Sequence, residues 1–163
     1  LRVVKEGKIV VFCNRFLIDK YISLGRKNEL IFDVHVVAKR NPIPFKNKQF
    51  LNDIEYILVF RRSGCYFDDT LEHDVYRKVS WIKCKTDNLH PAQKDIKVVS
   101  KYLRIFTKEN DIVLDPFLGS GTTAVACKKL NRHFIGIEIS EEYCEIARER
   151  LDKINNDKLD RWW

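Results

Sequence analysis

Asp111-Ile112-Val113-Leu114-Asp115-Pro116-Phe117-Leu118-Gly119-Ser120-Gly121-Thr122-Thr123 decides the fold. Ile112 to Leu114 reads as a short buried strand, and Asp115 stands at its carboxyl end. Pro116 to Gly121 form a glycine-rich turn, and a helix follows from about Ser120 to Leu130. This is how an α/β protein brings backbone N–H groups and one acidic side chain to a small polar ligand. Gly119 and Gly121 permit close backbone approach, and the amides opening the helix suit an anion or a carboxylate. A nucleotide-like cofactor is the first hypothesis.

A second strand, His133 to Ile137, runs into Glu138, 23 residues after Asp115. An acidic residue at that remove is the usual acceptor for a ribose diol, and Ile139 is placed to lie against a purine ring. The alternative is that Glu138 caps the last helix. That helix opens at Ser140-Glu141-Glu142-Tyr143, with Ser140 as N-cap and acidic residues in the first turn. Upstream, Ile96, Val99, Leu103 and Phe106 fall at helical spacing. The order helix–strand–turn–helix–strand–helix predicts a βαβ unit with parallel strands.

The first half reads as three strands. They are Lys8 to Cys13, Leu30 to Ala38 and Ile54 to Phe60, with the first taken as buried because it is continuously apolar. Between the first two, Phe16, Leu17, Tyr21 and Leu24 have helical spacing, and Gly25 reads as the helix stop. Lys39 to Lys48 carries two prolines and several basic or amide side chains, so it is expected to be an exposed loop. Arg61 to Leu89 has no sustained period. Its basic-aromatic stretch Tyr76-Arg77-Lys78-Val79-Ser80-Trp81 makes it a candidate recognition insertion, with a plain connector as the alternative. Asn155 to Trp163 is a polar tail ending in two tryptophans.

Composition sets the bounds. The 163 residues, 45% hydrophobic and 33% charged, suit one globular domain. No apolar run approaches the roughly 20 residues of a membrane span, and no signal segment opens the chain, so a cytoplasmic location is expected. Five cysteines (Cys13, Cys65, Cys84, Cys127, Cys144) lack CxxC spacing, which favours reduced thiols and argues against a bound metal. A net charge of +7 points towards a polyanion such as nucleic acid. The chain opens at Leu1 and contains no methionine, so it is expected to be a piece of a longer protein.

Three blocks together carry a family resemblance: His90-Pro91-Ala92-Gln93-Lys94, the stretch Asp111 to Thr123, and Phe134-Ile135-Gly136-Ile137-Glu138-Ile139-Ser140. They resemble the cofactor half of the β-class DNA amino-methyltransferases. Gly7 to Asn14, Ala38 to Phe50 and Asn52 to Arg62 are similar to further parts of that family, in the expected order. The resemblance implies a three-layer Rossmann-like fold with a mixed sheet, in circularly permuted motif order and incomplete at its amino end. It implies one methyltransferase domain over 1–163. Within it, 1–60 would supply the catalytic-side strands, 61–89 target recognition, 90–154 the cofactor half and 155–163 the tail.

The implied reaction moves a methyl group from S-adenosylmethionine to the exocyclic amine of adenine or cytosine in double-stranded DNA. By the same resemblance, Asp115 would face the methionine ammonium, and Phe117 would line the pocket with Pro116, Gly119, Ser120, Gly121, Thr122 and Thr123. Glu138 and Ile139 would take the nucleoside, and His90, Gln93 and Lys94 would close over the methionine end. Lys94 reads equally well as a solvated lysine. Lys39, Arg40, Asn41, Lys46 and Lys48 would meet DNA.

Asp95 stands where the family usually writes proline, Val37 where tryptophan is common, and Ile54-Glu55 where a His-Glu pair is usual. The family's catalytic Pro-Pro-Tyr/Phe motif would lie upstream of Leu1, and Asn41-Pro42-Ile43-Pro44-Phe45 does not replace it. The chain alone is therefore expected to be inactive, with its sheet completed by the preceding segment or by a second copy. Two other classes fit the residues: a non-catalytic DNA- or partner-binding module, and an enzyme methylating RNA or a small molecule.

Overall fold

The computed structural model describes residues 7–40, 53–82 and 93–156, the side chains of the last two excepted. The chain forms two compact units, Leu1–Lys85 and Thr86–Trp163.

The described residues of the first unit form a four-stranded sheet with one α-helix. β1 (Lys8–Cys13), α1 (Ile18–Lys27), β2 (Ile31–Lys39), β3 (Ile54–Arg61) and β4 (Val79–Ile82) follow in chain order. The strand order is β1-β3-β2-β4. β3 runs antiparallel to both neighbours, with Leu58 opposite Val11 and Val34, and β4 joins parallel to β2. β3 is an interior strand, and Ile57, Leu58, Val59 and Phe60 are all buried. β1, expected to be buried, is half-buried: it is an edge strand among the described residues. One face of β1 and β3 packs on α1 through Cys13, Leu58 and Phe60, with Leu17, Ile18, Tyr21 and Ile22 against them.

Gly25 does not stop the helix. It lies inside α1, where a Cβ would come within 2.4 Å of the Phe60 ring, so it is there for close packing on β3. The helix ends at Lys27, and Glu29 makes the left-handed turn at φ 56°. The amides of Leu30 and Glu29 donate to the carbonyls of Gly25 and Arg26, satisfying the last turn.

The segment expected to be aperiodic contains real structure. A 3-10 turn at His73–Tyr76 precedes β4. The Tyr76 hydroxyl donates to the Asp68 carbonyl and accepts from the Leu71 amide, both at 2.8 Å, and its ring stacks on Phe67. Four residues of β4 are too few to show a period. Two basic side chains of this segment are paired within the chain, Arg77 with Asp74 and Lys78 with Asp33.

The second unit contains α2 (Ile96–Phe106), β5 (Ile112–Asp115), α3 (Thr122–Lys129), β6 (His133–Gly136) and α4 (Glu141–Asn156). β5 and β6 pair in parallel, as the βαβ reading predicts, with Asp115 opposite Gly136. α3 packs on β6 and on both other helices. Ala124, Ala126 and Cys127 of α3 are fully buried, and burial pushes the Cys127 thiol up to about 11. β5 is half-buried rather than buried, and Ile112 is 67% exposed. β5 pairs with β6 alone among the described residues. No helix among the described residues is long and apolar enough to cross a membrane. Cys13, Cys65, Cys127 and Cys144 are thiols, and no group of three or more His, Cys, Asp or Glu able to hold a metal occurs among the described residues.

Candidate cofactor site at the carboxyl ends of β5 and β6

The turn after β5 is held by its own hydrogen bonds. Asp115 Oδ1 accepts from the Phe117 amide at 3.0 Å, and its other oxygen makes no hydrogen bond to a described residue. The Leu118 amide donates to the Ile137 carbonyl and the Gly121 amide to that of Leu118. Gly119 and Gly121 have φ of 54° and 81°, conformations that glycine adopts without steric cost. A Cβ on Gly121 would lie 2.7 Å from Ala147 Cβ of α4.

Glu138 is the second brace. Its Oε2 accepts from the Gly119 amide at 2.8 Å, while Oε1 accepts from the amides of Ile139 and Ser140, both at 2.9 Å. Of the two sequence readings of this residue, these hydrogen bonds bear on the cap. The carboxylate does gather amides ahead of α4, and it also ties the glycine turn to the end of β6. Ser140 is placed at the N-cap, its hydroxyl accepting from the Tyr143 amide at 3.4 Å.

The turn therefore uses the amides of Phe117, Leu118, Gly119 and Gly121 internally. The donors it presents lie further on. α3 begins its ladder with Val125 donating to Gly121, so the amides of Thr122, Thr123 and Ala124 have no partner inside the helix. Phe117 is 88% exposed and Ile139 fully so, two large apolar side chains at this end of the strands. Pro116 is exposed, and Ser120, Gly121 and Thr122 are buried.

Sequence reasoning missed Arg150 on α4. Its Nη1 donates to the Ser120 carbonyl, to Ser120 Oγ and to Thr122 Oγ1. Thirty positions separate Arg150 from Ser120, and no local pattern relates them. Of the motif before α2, His90 lies outside the described residues, Gln93 is exposed and Lys94 half-buried. Asp95 replaces the family's proline with a different way to begin a helix: its carboxylate accepts from the Lys97 amide at 2.7 Å as the N-cap.

Of the residues expected to meet DNA, Lys39 ends β2 and Arg40 follows it. Their amides donate to the carbonyls of Asp53 and Ile82. Arg40 is exposed and Lys39 half-buried, while Asn41, Lys46 and Lys48 lie outside the described residues, as does Asn41 to Phe45.

A family model described as DNA methylase matches residues 2–149. The chain belongs to the DNA methylase family. Its relatives include the type II methyltransferase M2.DpnII of Streptococcus pneumoniae, 34% identical over 132 residues, covering 72% of this chain and 49% of that protein. The type II methyltransferase M2.LlaDCHI of Lactococcus lactis subsp. cremoris is 52% identical over 64 residues, 39% of this chain and 24% of that protein. The chain thus spans half or less of the length of these curated relatives. The crystal structure of the M1.HpyAVI–SAM complex is similar with a TM-score of 0.78 and 33% identity, over 89% of this chain and 74% of that one. The fold is the Rossmann-like fold of S-adenosylmethionine-dependent methyltransferases, with a mixed sheet.

Proposed function

We propose that the protein is a site-specific DNA methyltransferase that moves a methyl group from S-adenosylmethionine to the exocyclic amine of adenine or cytosine in double-stranded DNA. The observation that carries this reading is the pair of carboxylates at the ends of parallel strands. Asp115 keeps one oxygen uncommitted among the described residues, and Glu138 is tied to the glycine turn. This donor and acceptor set fits S-adenosylmethionine. Asp115 would take the methionine ammonium, and the amides opening α3 its carboxylate. Glu138 would accept the ribose hydroxyls beside the amides it already holds, and Phe117 and Ile139 would flank the adenine.

S-adenosylmethionine supplies an electrophilic methyl on a sulfonium centre. The chain's residues bind and orient; none of them has to act as a covalent nucleophile, because the base amine attacks the methyl directly. The target amine is paired inside a duplex, so the base must leave the stack to be reached. A net charge of +7 and the exposed Arg40 support DNA as the partner. Methylation in the cytoplasm is part of the same proposal.

Calorimetry tests it. The protein is expected to bind S-adenosylmethionine and Asp115→Ala to abolish binding; unchanged affinity in that variant overturns the assignment. Binding to duplex DNA is expected to weaken steeply with salt, and a flat response would count against DNA.

A further inference from the structure

α4 meets the glycine turn with two side chains one helical turn apart. Ala147 lies against Gly121, leaving no room for a Cβ there. Arg150 reaches the residues on either side: Nη1 donates to the Ser120 carbonyl at 2.5 Å, to Ser120 Oγ at 3.0 Å and to Thr122 Oγ1 at 3.4 Å. Ser120 and Thr122 are 3% and 6% exposed, so these contacts satisfy hydroxyls that water scarcely reaches.

The charge is the informative part. Arginine stays protonated, and no carboxylate among the described residues pairs with Arg150. Burial lowers its pKa from the usual value, the mark of a cation partly stripped of water. It also stands beside the first residues of α3, where the helix dipole is already positive. A desolvated cation at a helix N-terminus is electrostatically unfavourable in the free protein. An anionic ligand group at the same place reverses that sign.

We infer that Arg150 is a positioning residue for the methyl donor. It fixes Ser120 to Thr122 from α4, so that the amides opening α3 face the anionic end of the ligand, and its charge favours that anion. Glu138 braces the same turn at Gly119, on the nucleoside side of the proposed site. The two braces therefore serve different ends of one ligand. This inference rests on the S-adenosylmethionine reading given above.

Calorimetry of the full chain with two ligands separates the possibilities. S-adenosylmethionine carries the amino-acid end, and 5′-methylthioadenosine lacks it. Arg150→Met is expected to weaken S-adenosylmethionine about tenfold while 5′-methylthioadenosine changes less than about twofold. Arg150→Lys restores part of the loss, because an ammonium keeps the charge but not the reach of the fork. Thr122→Val keeps the shape of the site and removes one acceptor; it is expected to give a smaller loss with the same preference, and provides the reading if Arg150→Met does not fold. Equal weakening of both ligands, or a lowered Tm with both affinities intact, overturns the inference and leaves the S-adenosylmethionine reading standing. A wild-type chain that binds neither ligand overturns that reading and the inference with it.

Discussion

Gly25 and Gly121 are both pressed against a neighbouring element, yet the two units use them differently. In α1, Gly25 has ordinary helical geometry, and its missing Cβ makes room for the Phe60 ring. In the second unit, Gly121 lies against Ala147 and also holds φ at 81°. The first glycine answers a packing demand, whereas the second answers packing and backbone shape together. The same contrast runs through the loops. In the first unit, the segment before β4 is pinned by the Tyr76 ring and hydroxyl, Asp68 accepts from the Thr70 amide, and Asp33 and Asp74 pair with basic side chains. In the second, Asp95, Asp115 and Glu138 all spend carboxylate oxygens on backbone amides. Acid-to-amide bonds fix the path of the main chain itself, which a site built from main-chain donors requires.

The comparison breaks first at the glycines. Gly121→Ala is expected to destabilise the chain by about 3 kcal/mol, combining left-handed strain with overpacking. Gly25→Ala carries the packing component alone, about 2 kcal/mol, and leaves S-adenosylmethionine affinity intact where Gly121→Ala removes it. Urea unfolding and calorimetry on the two variants check this; equal effects on binding would erase the distinction.

The two kinds of loop pin come next. Glu138→Gln replaces a charged acceptor of three amides and is expected to cost about 2 kcal/mol together with cofactor binding. Tyr76→Phe removes one bridging hydroxyl, costs about 1 kcal/mol and leaves cofactor binding alone. Amide exchange locates each effect: protection is lost at Gly119, Ile139 and Ser140 in one variant and at Leu71 in the other.

The smallest effect belongs to Asp33. Its hydrogen bond to Lys78 holds the carboxyl below the usual aspartate value. A depressed folded pKa adds stability above the unfolded value of about 3.9 and loses it as pH falls through the folded one. The pair is largely exposed, so the contribution is at most about 0.5 kcal/mol. Asp33→Asn is expected to flatten this part of the acid limb of the stability curve, and an unchanged limb would show that the pair contributes nothing.

What was legible in the sequence was what is punctuated locally. The strand, glycine turn and helix around Asp115 lie within a dozen or so residues, and their parallel partner announces itself by a short apolar run leading into Glu138. Gly25 was misread because its reason is Phe60, far along the chain, and a glycine near a helix end otherwise signals a stop. β4 escaped because four residues carry no period and its partner strand lies far back in the sequence. Arg150 looked like any other polar residue on an exposed helix face.

Phe117 and Ile139 keep most of their hydrocarbon in contact with water. A ligand that covers them removes apolar surface from solvent, which gives binding a negative change in heat capacity. The enthalpy of complex formation should then become more exothermic with each degree of warming. Replacing either side chain by alanine would flatten that slope, so calorimetry at a few temperatures would register the docked ring thermally.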